Sequence, residues 1–479
     1  MGSEWQKTTL GQIANESDGV VDGPFGSNLP ASCYVPSGNP VIRGSNLSLG
    51  STRFKSEEFV YVPDEVFEKL KRSECLPDDI LFTKKGTLGQ TGIIPRNSRF
   101  ERFLLSSNQM RLRVNKKVAD PNYIYYFVSS ERSLEKIKRE SEATGVPKIN
   151  LKYLKSFEIN LPPLEEQRRV VSVLGCLDNK IQLNRQTNQT LEQMAQALFK
   201  SWFVDFDPVI DNALAAGNPI PPELEQKAAQ RAQVRAAAKV SQAKPDAHPH
   251  HHASELPQHL RELFPSEFEH TEALGWVPKG WEAGTVGNCF DVTMGQSPPG
   301  STYNENGEGL PFFQGKTDYG FRFPTNRIYC TEPKRVANKS DTLISVRAPV
   351  GDVNMALEKC ILGRGVAAAR HKSGSISYTY YSMKQLEGHF KVFESEGTVF
   401  GSINQKDFKA LAVIKPCEEV TDIFERLAKS FDEKIEAGTY SINELTKLRD
   451  TLLPKLISGE LRLPEAETDA PSLTDEASV

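Results

Sequence analysis

The sequence predicts a mixed α/β (α+β) chain with a two-fold internal repeat. It comprises two globular modules, each followed by a long helix, and the two helices pair antiparallel as a coiled coil that separates the modules. Three observations predict this. Chemically matched residues recur at one spacing, each half closes on an apolar stripe of helical period, and short apolar runs before each stripe are broken by Gly, Pro and Asn clusters.

The repeat opens loosely and then locks. Trp5 with Leu10-Gly11-Gln12-Ile13 answers Trp281 with Val286-Gly287-Asn288-Cys289, and Pro40 to Gly44 answers Pro311 to Gly315. Asp79 to Leu81, running to Gly89, answers Asp341 to Leu343, running to Gly351. Gly145 with Ile149-Asn150 answers Thr398 to Gly401 with Ile403-Asn404. From there the spacing holds at 254: Phe157, Ile159 and Pro162 match Leu411, Val413 and Pro416, and Asp178, Ile181, Leu191 and Leu198 match Asp432, Ile435, Leu445 and Leu452.

Taken in order, the first module covers 1–160. Runs such as Asp79 to Thr83 read as strands, and Tyr123 to Lys138 reads as a helix. The first spacer helix occupies 161–203. Proline precedes it and acids fill its first turn, and apolar residues follow at Val170, Val173, Leu174, Leu177, Ile181, Leu191, Met194, Leu198 and Phe199. Residues 204–276 break the repeat and read as a linker or insert, with an Ala/Gln-rich helix near Leu224 to Ala243 and a low-complexity Pro245 to His252 stretch. The second module covers 277–416, with a strand at Thr342 to Val346 and a helix at Ile376 to Lys391. The second spacer helix occupies 417–460, its stripe running Ile423, Leu427, Phe431, Ile435, Ile442, Leu445, Leu448, Leu452 and Leu456. Residues 461–479 form an acidic tail expected to be disordered. At 1.5 Å per residue each long helix spans roughly 58 Å, too long a stripe for one small module to cover.

Composition bounds the function class. Hydrophobic residues at 38% and charged residues at 25% suit a soluble globular protein. No apolar run approaches the roughly 18–20 residues of a membrane helix, and the N-terminus has no apolar signal core. The seven cysteines are scattered, odd in number and without a C-x-x-C pair, which points to a reducing cytoplasm and against a disulfide framework or a cysteine-rich zinc site. Net charge is −4, yet residues 1–160 carry about 23 Lys/Arg against 19 Asp/Glu, and 279–416 about 17 against 13. Two mildly basic modules thus sit on an acidic remainder, a distribution compatible with a polyanionic partner.

Catalytic chemistry finds little footing. Gly309 to Thr317 imitates a phosphate-binding loop, but five residues separate its glycines where four are required, and Pro and two Phe lie where the backbone must curl. Asn218-Pro-Ile-Pro-Pro222 lacks the aromatic of an amino-methyltransferase motif and has no glycine-rich cofactor loop beside it. Asp432-Glu-Lys434 resembles the end of a nuclease metal site but lies on a helix, where it reads as a solvated face. His248, His250, His251 and His252 sit in a Pro/Ala loop, and no Ser–His–Asp set is available. No catalytic residue, metal or cofactor is expected in this chain.

Matched loops supply the side chains that reading duplex DNA needs. Arg43-Gly44-Ser45-Asn46 stands opposite Gln314-Gly315-Lys316-Thr317, Lys84-Lys85-Gly86-Thr87 opposite Val346-Arg347, and Glu142 to Gly145 opposite Glu396 to Thr398. Lys and Arg neutralise phosphate or read guanine, and glycine lets the backbone come close. The candidate DNA-binding residues are therefore Arg43, Ser45, Asn46, Lys84, Lys85, Thr87, Thr144, Lys148, Lys316, Thr317, Arg347 and Thr398.

These residues also carry a family resemblance. Asp22 to Asn28 (DGPFGSN), Lys85 to Gly89 (KGTLG), Leu161 to Gln167 (LPPLEEQ), Lys200 to Pro208 (KSWFVDFDP), Gly275 to Trp281, Met294 to Pro298 (MGQSP), Ser345 to Gly351 (SVRAPVG) and Leu448 to Gly459 follow in an order and spacing that resemble the specificity subunit of a type I restriction–modification system. The resemblance implies that each module is a target-recognition domain reading one half of a split DNA sequence, and that the helices are a coiled-coil spacer fixing the gap. It implies two modification subunits that methylate adenine with S-adenosylmethionine, and restriction subunits that use ATP and Mg. The Ala/His-rich insert near 224–255 departs from the family's pattern. A helix of roughly 58 Å bounds the separation of the readers at about 17 base pairs. Different reading loops in the two modules predict an asymmetric target. The competing readings are a coiled-coil scaffold for a methyltransferase complex without DNA contact, and a stand-alone methyltransferase.

Overall fold

The structure is a computed structural model and describes residues 5–49, 53–141, 148–242, 256–347, 349–390, 393 and 401–464. The chain divides into two compact units: Met1–Leu183 with Ser441–Val479, and Asn184–Tyr440. The partition cuts through both long helices, so each unit holds one module and a segment of each helix.

In the first unit, β1 (Gln6–Thr9) pairs antiparallel with β10 (Glu158–Leu161), whose alternate residues are buried, as a half-covered strand requires. One four-stranded sheet runs β2 (Val20–Asp22), β9 (Gln109–Leu112), β6 (Ile80–Thr83), β7 (Thr91–Ile93). A second runs β4 (Val60–Val62), β3 (Asn39–Ile42), β8 (Phe103–Leu105), β5 (Glu74–Cys75), with β3 and β8 parallel. The segment expected as one helix over Tyr123 to Lys138 is two, Pro121–Val128 and Glu131–Glu140. Ser130 breaks them by capping the second, its hydroxyl accepting from the Ser133 N–H.

The second unit repeats this plan. A hairpin of β11 (Phe268–Thr271) and β12 (Gly275–Pro278) precedes β13 (Glu282–Thr285), which pairs with β23 (Ala412–Lys415). One sheet runs β14 (Phe290–Met294), β22 (Val366–His371), β19 (Thr342–Val346), β20 (Val350–Met355). The other runs β15 (Tyr303–Asn304), β17 (Tyr329–Cys330), β16 (Leu310–Phe313), β21 (Cys360–Leu362), β18 (Val336–Ala337), again with one parallel pair, β16 and β21. The predicted helix over Ile376 to Lys391 ends at Gln385, and a short turn of helix at Glu387–Phe390 follows. The insert is ordered over two helices, Asp207–Ala216 and Glu225–Gln242. Asp211 on the first takes Arg231 of the second, and Asp205 takes Lys200 and Lys227.

The long helices run Leu164–Phe203 and Glu418–Ser458. Pro162 and Pro163 bar a helical partner upstream of the first, and Gln167 fixes its start: the buried amide donates to the Pro162 carbonyl and accepts from the Asp120 N–H. Gly459, at φ +77, closes the second. Within the first unit, Val170 and Leu174 share a core with Leu456 and Ile457, and Asp178 meets Arg449. Within the second, Asn188 donates to Ile435 and Thr439, and Phe199 meets Phe424. Rising numbers on one helix meet falling numbers on the other in both units, so the pairing is antiparallel. Gly438 makes room for the Asn188 side chain; a Cβ there would lie 2.3 Å from Asn188 Oδ1. The predicted stripe is wider than the buried seam: Met194, Leu427 and Leu448 are exposed.

Candidate nucleic-acid interface

In the first module the end of β6 gathers three of the candidate lysines. The Lys84 N–H donates to the Asn108 carbonyl, the Ile149 N–H donates to the Lys84 carbonyl, and Lys85 bridges to Lys148. Lys85, Thr87 and Lys148 are exposed. Gly86 turns the loop at φ +102, a conformation that side chains oppose. Lys84 is half-buried and its ammonium lies 3.0 Å from Asp22 Oδ2, so part of its charge is spent inside the protein. This contact also ties the DGPFGSN segment to the lysine cluster.

The Arg43–Asn46 loop lies alongside. A Cβ on Gly44 would stand 3.5 Å from Gln90 Oε1, and Gln90 also accepts from the Thr83 hydroxyl. Ser45 is exposed. Asn46 is not a groove-facing residue: it is fully buried, donates to the Lys55 and Glu57 carbonyls at 3.1 and 2.9 Å, and accepts from the Arg43 N–H at 2.9 Å. Its amide is consumed in shaping the loop. Arg43 is half-buried and donates to the Glu58 carbonyl. Thr144 lies outside the described residues.

The second module builds the same skeleton with different side chains. The Ile403 N–H donates to the Val346 carbonyl as Ile149 does to Lys84, and Arg347 bridges to Ser402 as Lys85 does to Lys148. Arg347, Lys316 and Thr317 are exposed, and Lys316 sits 3.0 Å from Asp352 Oδ1. Buried Asp318 shapes this loop in the manner of Asn46, accepting from the Gln314 N–H and from Arg327. Thr398 lies outside the described residues. The phosphate-loop imitation is absorbed by β16, whose extended backbone leaves no cradle.

Sequence reasoning passed over Arg364. It is exposed between Gly363 and Gly365, and a Cβ on Gly365 would stand 2.2 Å from the Gln314 carbonyl, which brings Arg364 beside the Lys316 loop. The Gly-Arg-Gly triplet was the available signal. Asp432 also differs from expectation. It is no solvated helix face: its carboxylate is largely buried, paired with Arg322 and hydrogen-bonded by Ser377 at 2.6 Å. Burial lifts its pKa above the ordinary carboxylate value, against the pull of Arg322.

No helix among the described residues is long and apolar enough to cross a membrane. A family model described as the type I restriction modification DNA specificity domain matches residues 30–193 and 278–447, once in each half. The chain is 27% identical over 433 residues to a putative type I restriction enzyme MjaX specificity subunit of Methanocaldococcus jannaschii, covering 89% of this chain and 88% of that one. It is 28% identical over 411 residues to the type I restriction enzyme HindI specificity subunit of Haemophilus influenzae, covering 79% and 87%. Among solved structures, the type I restriction–modification system S subunit from M. genitalium shares the fold at a TM-score of 0.53 and 14% identity, covering 97% of each chain. With the family model matching well over half of its length, in two copies that coincide with the structural repeat, the chain belongs to the family of type I restriction–modification specificity subunits.

Proposed function

We propose that this chain recognises a split, asymmetric DNA target, reading one half-site with each module, and does no covalent chemistry itself. The observation that carries the reading is the repeated skeleton with unlike side chains: Lys84, Lys85 and Lys148 on one copy, Val346, Arg347 and Ser402 on the other. One scaffold presenting two chemistries suits two different half-sites. The paired helices, 40 and 41 residues long, serve as a coiled-coil spacer that sets the gap. They leave Leu183, Met194, Leu427, Tyr440 and Leu448 exposed, apolar surface suited to protein partners. In this reading the partners are two modification subunits and restriction subunits, and the cofactors are theirs: S-adenosylmethionine for adenine methylation, ATP and Mg for translocation and cleavage.

The test is salt-dependent binding of the assembled complex to its duplex. Lys84→Ala with Lys85→Ala is expected to flatten the log–log salt slope by about 1–2, with the smaller share from Lys84 because Asp22 already holds it. An unchanged slope removes these lysines from the interface. A complex that assembles with methyltransferase subunits yet retains no duplex supports the scaffold reading instead.

A further inference from the structure

Two arginines lie outside the sequence motifs, each followed by phenylalanine: Arg53-Phe54 and Arg322-Phe323. Each follows its module's reading loop by a few residues, and each is fastened by its backbone to an edge strand. The Arg53 carbonyl accepts from the Ile93 N–H of β7 at 3.0 Å, and the Arg322 carbonyl accepts from the Met355 N–H of β20 at 2.9 Å. β7 and β20 hold the same place in the two sheets.

The side chains make matching contacts. Arg53 lies over the rings of Tyr125 and Tyr126, 5.3 and 4.8 Å from their centroids, and Arg322 over Tyr380 and Tyr381 at 3.5 and 5.3 Å. Beside each arginine stands a carboxylate of a long helix, and the two are repeat partners 254 residues apart, Asp178 and Asp432. Asp178 accepts from the Tyr126 hydroxyl at 2.6 Å and from Arg449 at 3.0 Å, with Arg53 Nε 3.7 Å away. Asp432 pairs with Arg322, which is 1% exposed and also grips Glu192 of the other long helix; Lys384 meets Glu192 at 3.1 Å. Burial pushes the Tyr125 phenol up to about 12 and Tyr126 and Tyr381 higher, so each is an uncharged ring with an O–H to donate at neutral pH.

We infer that Arg53 and Arg322 are positioning residues: each latches the reading loop of its module onto a tyrosine pair and a long-helix carboxylate, Asp178 or Asp432. The inference rests on the DNA-reading function proposed above. A flat cation stacked on two rings beside a carboxylate admits few orientations, and lysine does not reproduce it. The latch therefore holds each reading loop in register with the spacer, and loosening it blurs the gap that the complex tolerates.

The experiment measures binding of the assembled complex to its own duplex and to duplexes whose gap is one base pair longer or shorter. Arg53→Met is suited to the first latch, because Asp178 keeps Arg449 and Tyr126. For the second, removing Arg322 alone would strand two carboxylates, so Glu192→Gln, Arg322→Met and Asp432→Asn are combined. Preference for the native gap is expected to fall about tenfold in either variant, with thermal stability close to wild type, and Arg53→Lys is expected to restore only part of it. Undiminished gap preference in both variants overturns the inference and leaves the network a stability element. A wild-type complex that binds no duplex overturns the DNA-reading proposal itself, and the latch's role with it.

Discussion

Position 170 of the first long helix and position 424 of the second are the same place in the repeat, yet one holds Val170 and the other Phe424. Both are buried. Val170 shares an aliphatic neighbourhood with Leu174, Leu456 and Ile457. Phe424 stands within an aromatic cluster, its ring centroid 5.5 Å from Phe199, 5.3 Å from Phe203 and 6.1 Å from Trp202, all near edge-to-face. Truncating Phe424 to Ala removes a whole ring and those contacts, a loss of about 4 kcal/mol. Val170→Ala removes two methyl-sized groups, ~1.6 kcal/mol by transfer and about 2 kcal/mol with the cavity counted. Native-state hydrogen exchange in graded urea is the assay, because a chain of two units has no single unfolding free energy. Phe424→Ala should speed exchange of β19 and β22, and Val170→Ala that of β6 and β9 by about half the free energy. If Phe424→Ala costs no more than Val170→Ala, or opens β6 and β9 equally, the aromatic cluster is not what holds the second module to its helices.

Gly438→Ala improves intrinsic helix propensity by about 1 kcal/mol. It nevertheless should destabilise, since the new Cβ meets Asn188 Oδ1, and combining it with Asn188→Ala should recover most of the loss in a denaturation double-mutant cycle. Asp78, held by Lys116 and Arg96, has a carboxyl pKa below the ordinary value despite its burial, so its contribution is full above about pH 3.9 and is lost as pH falls through its own lower pKa. Asp78→Asn, which tolerates the φ of +72 found there, should lower the melting temperature at pH 7 and leave it nearly unchanged near pH 2. An equal loss at both pH values would exclude the ion pairs as the cause.

Much of this architecture was legible before any coordinates. Helix period and flanking prolines located Leu164–Phe203 and Glu418–Ser458 to within about three residues, because one long amphipathic stripe sums many weak preferences. The repeat register carried Asp178 onto Asp432 correctly, but sequence could not say that both carboxylates were largely covered, since helical spacing alone makes Asp432 look solvated. The latch arginines escaped for a related reason. Insertions shift the offset from 271 at the Arg43 loop to 269 at Arg53 and Arg322 and 262 at Lys85 and Arg347, so no fixed spacing links them; only the Arg-Phe dipeptide does. Asn46 was misread because an exposed and a saturated amide look alike in a sequence, and only its contacts to Lys55 and Glu57 separate them.

What the two modules share explains how they could come to read different bases. The skeleton the two modules share is backbone bonding, Ile149 to Lys84 and Ile403 to Val346, with one recurring side chain, the carboxylate of Asp79 or Asp341, accepting from the Leu76 or Asn338 N–H. That carboxylate also takes an arginine in each copy, Arg113 with Asp79 and Arg370 with Asp341. None of these bonds depends on the exposed side chain at positions 85, 148, 347 or 402. Exposed substitutions of this kind shift stability by only about 0.5 kcal/mol, so the reading surface is free to vary while the fold is held from beneath. The reverse holds for Arg53, Arg322, Asp178 and Asp432, where a change breaks the tie between loop and helix. Recognition should therefore diverge through the outward side chains of the loops, and the latches should stay constant while it does.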